Sequence, residues 1–594
     1  MEDLLDQKLN VKERILEILQ LDLERTFYTQ ASDGKLYGFL DLNEATGLPY
    51  LRQDQWLEIN QQAVYTFTVL YLYRSPHNRF YQNSQLLDAA IKGIHVLLEQ
   101  PSIQKKYDCY DFVALTMIDI YELLKVFVSR EIRTFWQEGL MQMAKLCLSE
   151  LTRSRGNINF TIEPQSGIGW GLNHQANAML ALYRAGQLFH KPGWKRLAEN
   201  ELERIVDWQN SDGYWSEYNG PTLGYNLVTL ENIARYAFYS RSKKAWASVK
   251  RGVRLHLNTL YPNGYTMAAL DNRVPHGGIK PVFFPFLFSP AGRGYIDFVT
   301  KKLLEIKRHN IKHPGDHDLI GYESYHYGYH HLALTLRHWH GGKISPLPLE
   351  KKNYTFTFQR PCKVLKRGPW IIILNGFISI PYDACRHVLD WQSHLTVYHE
   401  KTGLIIGEGG SKRQPENSSF VILRQGKDQF YQGKAYLVDW GAELFSEQGW
   451  EKLRLSYHYF PESQASGALC TLGVKMISPA VLKIEMRFEK ASHVSGVSAQ
   501  LPLYLKIGEK IRVGNQFSTH FSARRVKLKF KRKTTIHHQR WRLSMPAESE
   551  IRWPIFPFNP YRINGRTAVY RGRGLVRTEL KREGERAEFI IKIK

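Results

Sequence analysis

Three stretches predict a helical first half of the chain: NHQANAMLALYRAGQLF (173–189), GWKRLAENELERIVDWQ (193–209) and YNLVTLENIARYAFYS (225–240). In each stretch, apolar residues recur at the spacing of one helix face, and a turn signal follows. Blocks of the same kind continue from the start of the chain to about residue 340. Successive helical hairpins stack into a solenoid or, when the array closes, into an α/α toroid.

The hydrophobic period changes beyond HGGKISPLPLEKKN (340–353), a segment rich in Gly, Pro and Lys. Segments such as YTFTFQ, WIIILNGFISI, HLTVYHE and RVKLKFKRK then alternate or run apolar, as short strands do. Many short strands without intervening helices favour an antiparallel β-sandwich. The sequence therefore predicts a multidomain α+β chain: an α/α toroid over residues 1–340, a linker over 341–353 and a sandwich over 354–594.

The charge of the chain indicates a polyanionic partner. Its 81 Lys and Arg outnumber its 56 Asp and Glu, for a formal net charge of +25. A positive surface attracts nucleic acid, anionic membrane and acidic glycan alike, so charge alone does not choose among them. No nucleic-acid-binding motif accompanies the charge, which favours an acidic glycan.

Cysteine usage and the N-terminal segment suggest a cytoplasmic protein. The five cysteines are widely separated and form no C-x-x-C pair, so we expect reduced thiols. The first residues, MEDLLDQKLNVKERILEILQ, lack the apolar core of a secretion signal, and no apolar run approaches the length of a membrane span. We predict no required cofactor and no metal ligand, although a structural divalent ion in the sandwich stays open.

Three polar segments with aromatic residues recur at hairpin intervals in the helical half. They are GIGWGLNHQANAML (167–180), NSDGYWSEYNGPTLGYN (210–226) and ALDNRVPHGG (269–278). Asn173, Tyr225 and Arg273 are separated by 52 and 48 residues, so each can lie at the same end of successive helical pairs. We expect them to meet in one cleft.

These segments resemble a known family. Asn173-His174 at a helix start, the D-G-Y-W-x-E turn (212–217) with Gly224-Tyr225-Asn226, and Arg273 look like the active-site segments of toroid-plus-sandwich polysaccharide lyases. The resemblance is to the heparinase II/III and alginate lyases. RHVLDWQSHLTVYHEKTGLIIGEGG (386–410) is similar to their sandwich segment, with Asp390 and Ser393 matching, but Val388 stands where a histidine is usual and His387 lies one residue away.

The resemblance implies β-elimination at a uronate, with Asn173, His174, Tyr225 and Arg273 as catalytic candidates. Asn173 would hydrogen-bond a uronate oxygen, and Arg273 or a protonated His174 would supply the positive field that stabilises the intermediate. Tyr225 would act as general acid and, in a syn elimination, also as base; His174 is the base for an anti elimination. Residues predicted to contact the substrate are Trp170, Trp215, Glu217, Tyr218, His276, Tyr325, His326 and His387.

Simpler interpretations remain open at each position. Asn173 can cap its helix, Tyr225 can be a core aromatic residue, and Arg273 can pair with Asp271. His326 and His330 have the spacing of a metal pair on a helix, but no third ligand can be named. The basic stretch 524–542 fits a polyanion groove or a solvated strand face.

Other functions also fit the same scaffold. A uronate C5-epimerase shares the first proton abstraction, and a glycoside hydrolase would use two carboxylates from the set Asp212, Glu217, Asp271 and Glu323. A glycan-binding or biosynthesis-associated protein without turnover is the third alternative.

Overall fold

A computed structural model describes the chain over most of its length. The described residues are 9–27, 30–32, 39–42, 49–52, 62–98, 110–155, 172–216, 221–271, 278–312, 329–377, 393–408, 417–424, 427–428, 435–459, 467–492, 494–515, 517–556 and 571–594.

The first half of the chain is helical within these residues. Its α-helices are α1 (Val11–Phe27), α2 (Ala63–Leu72), α3 (Ser84–Leu98), α4 (Tyr110–Leu124), α5 (Arg130–Arg155), α6 (Leu172–Leu188), α7 (Pro192–Asp207), α8 (Leu223–Ser240), α9 (Lys243–Leu257), α10 (Pro290–Lys312) and α11 (Tyr329–His338). Short 3₁₀ helices lie at Ala268–Leu270, Phe284–Phe288 and Pro348–Glu350, and strands β1 (Phe39–Leu42) and β2 (Pro49–Arg52) pair with each other. Among the described helices, none is long and apolar enough to cross a membrane.

The helices form a closed double ring. The inner ring runs α2, α4, α6, α8, the 3₁₀ segment Phe284–Phe288 and α11, which returns to contact α2. Helices α3, α5, α7, α9, α10 and α1 pack outside it. Apolar side chains of both layers form one continuous core. Outer helices such as α7 bury one face, whereas inner helices such as α8 are buried on nearly every side.

The inner helices run in the same direction. Contacts between α6 and α8 pass from Asn177 and Asn232 near their middles to Tyr183 and Tyr236 further on. Contacts between α4 and α6, and between α8 and α11, advance in the same sense. Helices α4, α6, α8 and α11 therefore all begin at one end of the toroid, here called the N-terminal end of the ring.

The second half of the chain is a two-layer antiparallel sandwich. Its strands are β3 (Asn353–Thr357), β4 (Cys362–Arg367), β5 (Trp370–Asn375), β6 (Leu395–His399), β7 (Gly403–Ile406), β8 (Phe420–Arg424), β9 (Lys427–Asp428), β10 (Ala435–Glu447), β11 (Trp450–Tyr459), β12 (Gly467–Ser478), β13 (Val481–Ser492), β14 (Gly496–Lys506), β15 (Lys510–Val513), β16 (Phe517–His520), β17 (Val526–Phe530), β18 (Thr534–His538), β19 (Trp541–Met545), β20 (Ser549–Ile555), β21 (Arg571–Leu580) and β22 (Arg586–Ile593).

The strands divide into two sheets around a second core. One sheet has the order β10-β11-β12-β13-β22-β19-β18-β15-β16. The other has the order β17-β20-β21-β14-β7-β6-β5-β4-β3, with β8 paired to β14 and β9 to β8. Alternate residues point into the shared core, as the two-residue period predicts. The predicted multidomain α+β fold of toroid and sandwich is confirmed.

The sandwich docks on the N-terminal end of the ring. Asn375 of β5 donates a hydrogen bond to the carbonyl of Ala269 (2.8 Å), and the hydroxyl of Tyr261 donates to Glu408 (2.7 Å). A third apolar cluster joins toroid residues such as Leu270 to Phe356, Val364, Ile371 and other sandwich residues. The predicted linker is also packed, since its Leu347 and Leu349 are buried in the toroid core.

Candidate functional site

Asn173 has a buried side chain whose hydrogen bonds are not satisfied. It lies in the first turn of α6 and is 0% exposed. Neither its Nδ2 nor its Oδ1 has a hydrogen-bond partner among the described residues. The side chain therefore does not cap its helix, contrary to the simpler interpretation of the sequence. Burying an unsatisfied carboxamide costs about 1–3 kcal/mol, and such groups call for a functional or solvent explanation.

His174 is held by a carboxylate that the sequence did not indicate. Its Nδ1 lies 3.1 Å from Oδ2 of Asp111, and the edge of its ring contacts Phe112. Asp111 is fully buried, whereas the His174 side chain is 24% exposed. When Nδ1 donates to the carboxylate, Nε2 is left as the basic nitrogen of the ring. A carboxylate that orients an imidazole in this way is a common arrangement for a general base.

Tyr225 lies near the start of α8, the inner helix that packs against α6. The carboxamide of Asn232 donates to that of Asn177 (2.7 Å) where the two helices meet. Asn173 precedes Asn177 by one helical turn and Tyr225 precedes Asn232 by two, so each lies on the same helix face as the contact. At 1.5 Å per residue, Asn173 and Tyr225 lie about 6 Å and about 10 Å beyond it toward the N-terminal end. Tyr225 is half-buried.

The start of α8 is fixed by a neighbouring chain segment. Oδ2 of Asp271 accepts a hydrogen bond from the backbone N–H of Gly224 (2.9 Å), and Thr222 forms a β-bridge with Asp271. The acidic side chain satisfies a donor that the helix leaves open and complements its positive end. The segment containing Asp271 thereby positions the turn that carries Tyr225.

The predicted D-G-Y-W turn is structural where it is described. Trp215 is 1% exposed and its indole N–H donates to the carbonyl of Ile205 (2.7 Å), so this ring lies in the core and not on a ligand-facing surface. Asp212 accepts from the backbone N–H of Gln359 in the sandwich (3.0 Å), and burial raises the pKa of Asp212. Asn226 connects Trp215 to His256.

Several predicted site residues lie outside the described residues. They are Trp170, Glu217, Tyr218, Arg273, His276, Tyr325, His326 and His387, together with Glu323, Val388 and Asp390 of the motifs and alternatives considered above. Ser393 is described and is buried. Asn173 and His174 lie together in the first turn of α6 and Tyr225 lies near the start of the neighbouring helix α8, while convergence of the catalytic set in one cleft stays a prediction.

The predicted histidine pair is represented by His330 alone. Burial and the neighbouring His331 and Arg235 hold the pKa of His330 well below its ordinary value, so it is neutral. His331 contacts Glu231 (2.8 Å), and Arg235 pairs with Asp119, all within the ring. Within the described ranges, no three His, Cys, Asp or Glu side chains are grouped as metal ligands.

Comparisons with known proteins identify the fold. No protein-family model matches this sequence, and no curated protein sequence does. Among solved structures, a Paenibacillus xanthan lyase is similar over 98% of this chain and 57% of its own, at 10% identity and a TM-score of 0.53. The likeness is therefore one of fold, and this chain spans little more than half of that protein.

Two further solved structures are similar over nearly all of this chain. A Streptomyces coelicolor A3 chondroitin AC lyase has 10% identity and a TM-score of 0.49, covering 98% of this chain and 79% of its own. The heparan sulfate lyase HepC of Pedobacter heparinus, in a mutant form, has 10% identity and a TM-score of 0.48, covering 99% and 84%.

Proposed function

We propose that this chain cleaves a uronate-containing acidic polysaccharide or oligosaccharide by β-elimination at the N-terminal end of the ring. The observation that carries the proposal is the buried carboxamide of Asn173, which has no partner among the described residues and lies beside His174. The fold shared with a xanthan lyase supports the same reaction class.

The reaction requires a site that neutralises the uronate carboxylate. A base removes the proton on C5, the electrons of that bond form a C4–C5 double bond, and the glycosidic oxygen leaves C4 and takes up a proton. While the carboxylate is charged, the intermediate carries a second negative charge on the same group. Groups that bind this charge more strongly in the transition state than in the ground state accelerate the reaction.

Asn173 and the start of α6 supply this stabilisation. The carboxamide donates a hydrogen bond to a uronate oxygen and thereby satisfies its own buried Nδ2. Helix α6 begins at this end without an acidic residue in its first turn, and its N-terminus contributes about half a positive charge. Arg273, which the sequence places in the same set, adds a full positive charge.

His174 and Tyr225 are the proton-transfer groups. Asp111 fixes the imidazole of His174, which serves as the base of an anti elimination. Tyr225, on the next inner helix, protonates the leaving oxygen and, in a syn elimination, also removes the C5 proton. The hydrolase alternative is less well supported, because Asp212 and Asp271 are engaged by backbone N–H groups.

The test uses alginate, heparin-type and chondroitin-type substrates with the purified full chain. Unsaturated uronate is followed by its ultraviolet absorbance for the wild type, Asn173→Ala, Tyr225→Phe and the surface control Tyr81→Phe. We expect turnover that falls at least about 100-fold in the first two variants and is unchanged in Y81F.

The other outcomes identify the alternatives. Deuterium that enters C5 from solvent without chain cleavage would assign an epimerase. Binding without turnover, unaffected by Y225F, would assign a glycan-binding protein. Absence of unsaturated product across the whole panel would overturn the lyase proposal.

A further inference from the structure

A row of basic side chains crosses four neighbouring strands of the nine-stranded sheet. Lys592 of β22 pairs in register with Arg542 of β19, Arg542 with His537 of β18, and His537 with Arg512 of β15. Residues directly opposite on neighbouring strands point to the same face of the sheet. With strands about 4.8 Å apart, the row is about 14 Å long. We call these four residues the basic row.

The basic row faces solvent on the outside of the sandwich. Arg512, Arg542 and Lys592 are exposed and His537 is half-buried, while the residues that alternate with them, such as Ile511 and Leu543, are in the core. The toroid packs against β3–β6 of the other sheet. The row therefore lies on the outer face of the sheet that does not carry the main apolar contact with the toroid.

The positive charges of the row are not neutralised by the described part of the chain. No described carboxylate forms an ion pair with Arg512, Arg542 or Lys592. The nearest outward carboxylate on their strands is Glu588, four residues from Lys592, and it is already paired with Lys483. Like charges directly opposite on neighbouring strands destabilise a sheet. Holding Arg542 directly opposite Lys592, with Arg512 two strands from Arg542, has a cost that a bound anion would relieve.

The positive charges of the row lower the pKa values of neighbouring basic groups, as expected for side chains that lie close together. Burial, Arg512, Arg542 and Lys594 together lower the pKa of His537. Burial, Arg542 and Arg512 also lower the pKa of Lys594 at the end of the chain. The field over this part of the sheet is positive, and it suits an extended anion.

The neighbouring side chains favour a glycan over nucleic acid. The next outward positions along β22, β19 and β18 are Ile590, Ser544 and Thr535, which are paired in register. Two of them offer hydroxyl groups for sugar or sulfate oxygens. None is aromatic, whereas sequence-independent binding of single-stranded nucleic acid relies on aromatic rings on which bases stack. A single row of cations also matches a single-chain polymer better than a duplex.

We propose that the basic row is a second binding site for a linear acidic polysaccharide, separate from the site of cleavage. The choice of ligand class rests on the proposed function. A polymer held on the outer sheet stays at high local concentration near the toroid, because the second contact of a tethered chain is intramolecular. The row would thereby increase the action of the enzyme on long chains and leave its action on short oligosaccharides unchanged.

The experiment compares two double variants of the full chain with the same loss of charge. R512Q/R542Q removes the two arginines of the row. K581Q/R582Q removes two exposed cations in the turn before β22, about 20 Å from Lys592 along the strand direction. All four positions are exposed, so unfolding midpoints are expected to match the wild type and to report that each variant is folded.

Binding of heparin, a sulfated uronate polymer, is measured at about 50 mM and about 200 mM salt. We expect R512Q/R542Q to weaken binding at least about tenfold at low salt and to reduce the slope of log K against log salt by about 2. K581Q/R582Q should change binding less than about twofold. Equal effects of the two double variants would overturn the proposal, because net charge would then explain the binding.

Two further arms separate this inference from the proposed function. If the row variant loses heparin binding while the wild type produces no unsaturated uronate from any substrate, the second site stands and the lyase proposal fails. If the enzyme cleaves polymer and R512Q/R542Q binds and cleaves it like the wild type, the lyase proposal stands and the second site fails. Duplex DNA of equal charge that binds as tightly as heparin, with the same loss in R512Q/R542Q, would overturn the assignment to glycan.

Discussion

Substitution of Asn173 should reduce activity without reducing the stability of the fold. Removing its carboxamide breaks no hydrogen bond to a described residue, so Asn173→Ala should leave the free energy of unfolding unchanged or raise it by up to about 1 kcal/mol. The control is Asn232→Ala, which leaves the partner atom of Asn177 unsatisfied and should cost about 1–3 kcal/mol. Urea unfolding measures both. A clear loss of stability in N173A would mean that the carboxamide is structural.

Asp111 should act through His174. Asp111→Asn keeps the size of the side chain but removes the charge that holds the imidazole. We expect kcat to fall at least about 100-fold with KM within about threefold, because substrate contacts are retained and the base is not oriented. Steady-state kinetics on the best substrate of the panel gives both constants. A rise in KM at constant kcat would place Asp111 in substrate binding instead.

The sequence predicted part of this site, and the missing part has a physical reason. Asn173, His174 and Tyr225 could be selected because each stands near the start of a helical block. Asp111 could not, since its link to His174 spans 63 residues and depends on which inner helices are neighbours. Trp215 illustrates the opposite error: a Trp in a polar turn looks like a sugar-stacking ring, but its position relative to Ile205 puts it in the core.

At the scale of elements, the start of α8 depends on a carboxylate from another segment. Asp271→Ala removes the acceptor of the Gly224 N–H and should cost about 0.5–2 kcal/mol, as the loss of a helix cap does. Turnover should fall with it, because Tyr225 follows Gly224 directly. Asp271→Asn keeps an acceptor oxygen and should recover most of both. Equal damage in the two variants would indicate that charge, not the hydrogen bond, is required.

Polyanion binding at the basic row should depend on pH, because His537 of β18 can take up a proton. Because burial, Arg512, Arg542 and Lys594 lower the pKa of His537 below its ordinary value, the imidazole is neutral at pH 7. A bound polyanion favours the charged form, so binding takes up a proton and tightens as the pH falls below about 6.5. Heparin titrations at pH 7.5 and pH 5.5 should show a larger gain for the wild type than for His537→Gln. The same gain in both would exclude this residue as the cause.

For the whole molecule, the spacing of hydrophobic residues along the sequence was sufficient to predict the helical half and the β half. The change from helical spacing near His338 to alternation near Asn353 separates the two halves, and both are found. Closure of the toroid was less predictable, because it depends on contacts between α1, α10 and α11 at opposite ends of the helical half. The place of Phe284–Phe288 in the inner ring could not be predicted from helical spacing of apolar residues, since this segment is a short 3₁₀ helix.

Buried neutral histidines in both halves should make the whole molecule unstable in acid. Burial lowers the pKa of His256 in the toroid to about 3 and that of His394 in the sandwich to about 4. In the unfolded chain each titrates near 6.5, so below that pH the unfolded state takes up protons that the folded state does not, and stability falls with pH down to the folded values. Between pH 7 and pH 5 each should contribute a loss of about 2 kcal/mol.

Urea unfolding at the two pH values measures this loss. His256→Gln keeps an acceptor for the carboxamide of Asn226 and should reduce the loss by about 2 kcal/mol, whereas exchange of the exposed His520 for Gln should leave it unchanged. Because the two buried histidines lie in different halves of the chain, His394→Gln should protect the sandwich and His256→Gln the toroid. If both variants lose stability between pH 7 and pH 5 as the wild type does, buried histidines do not govern acid unfolding and carboxylates must.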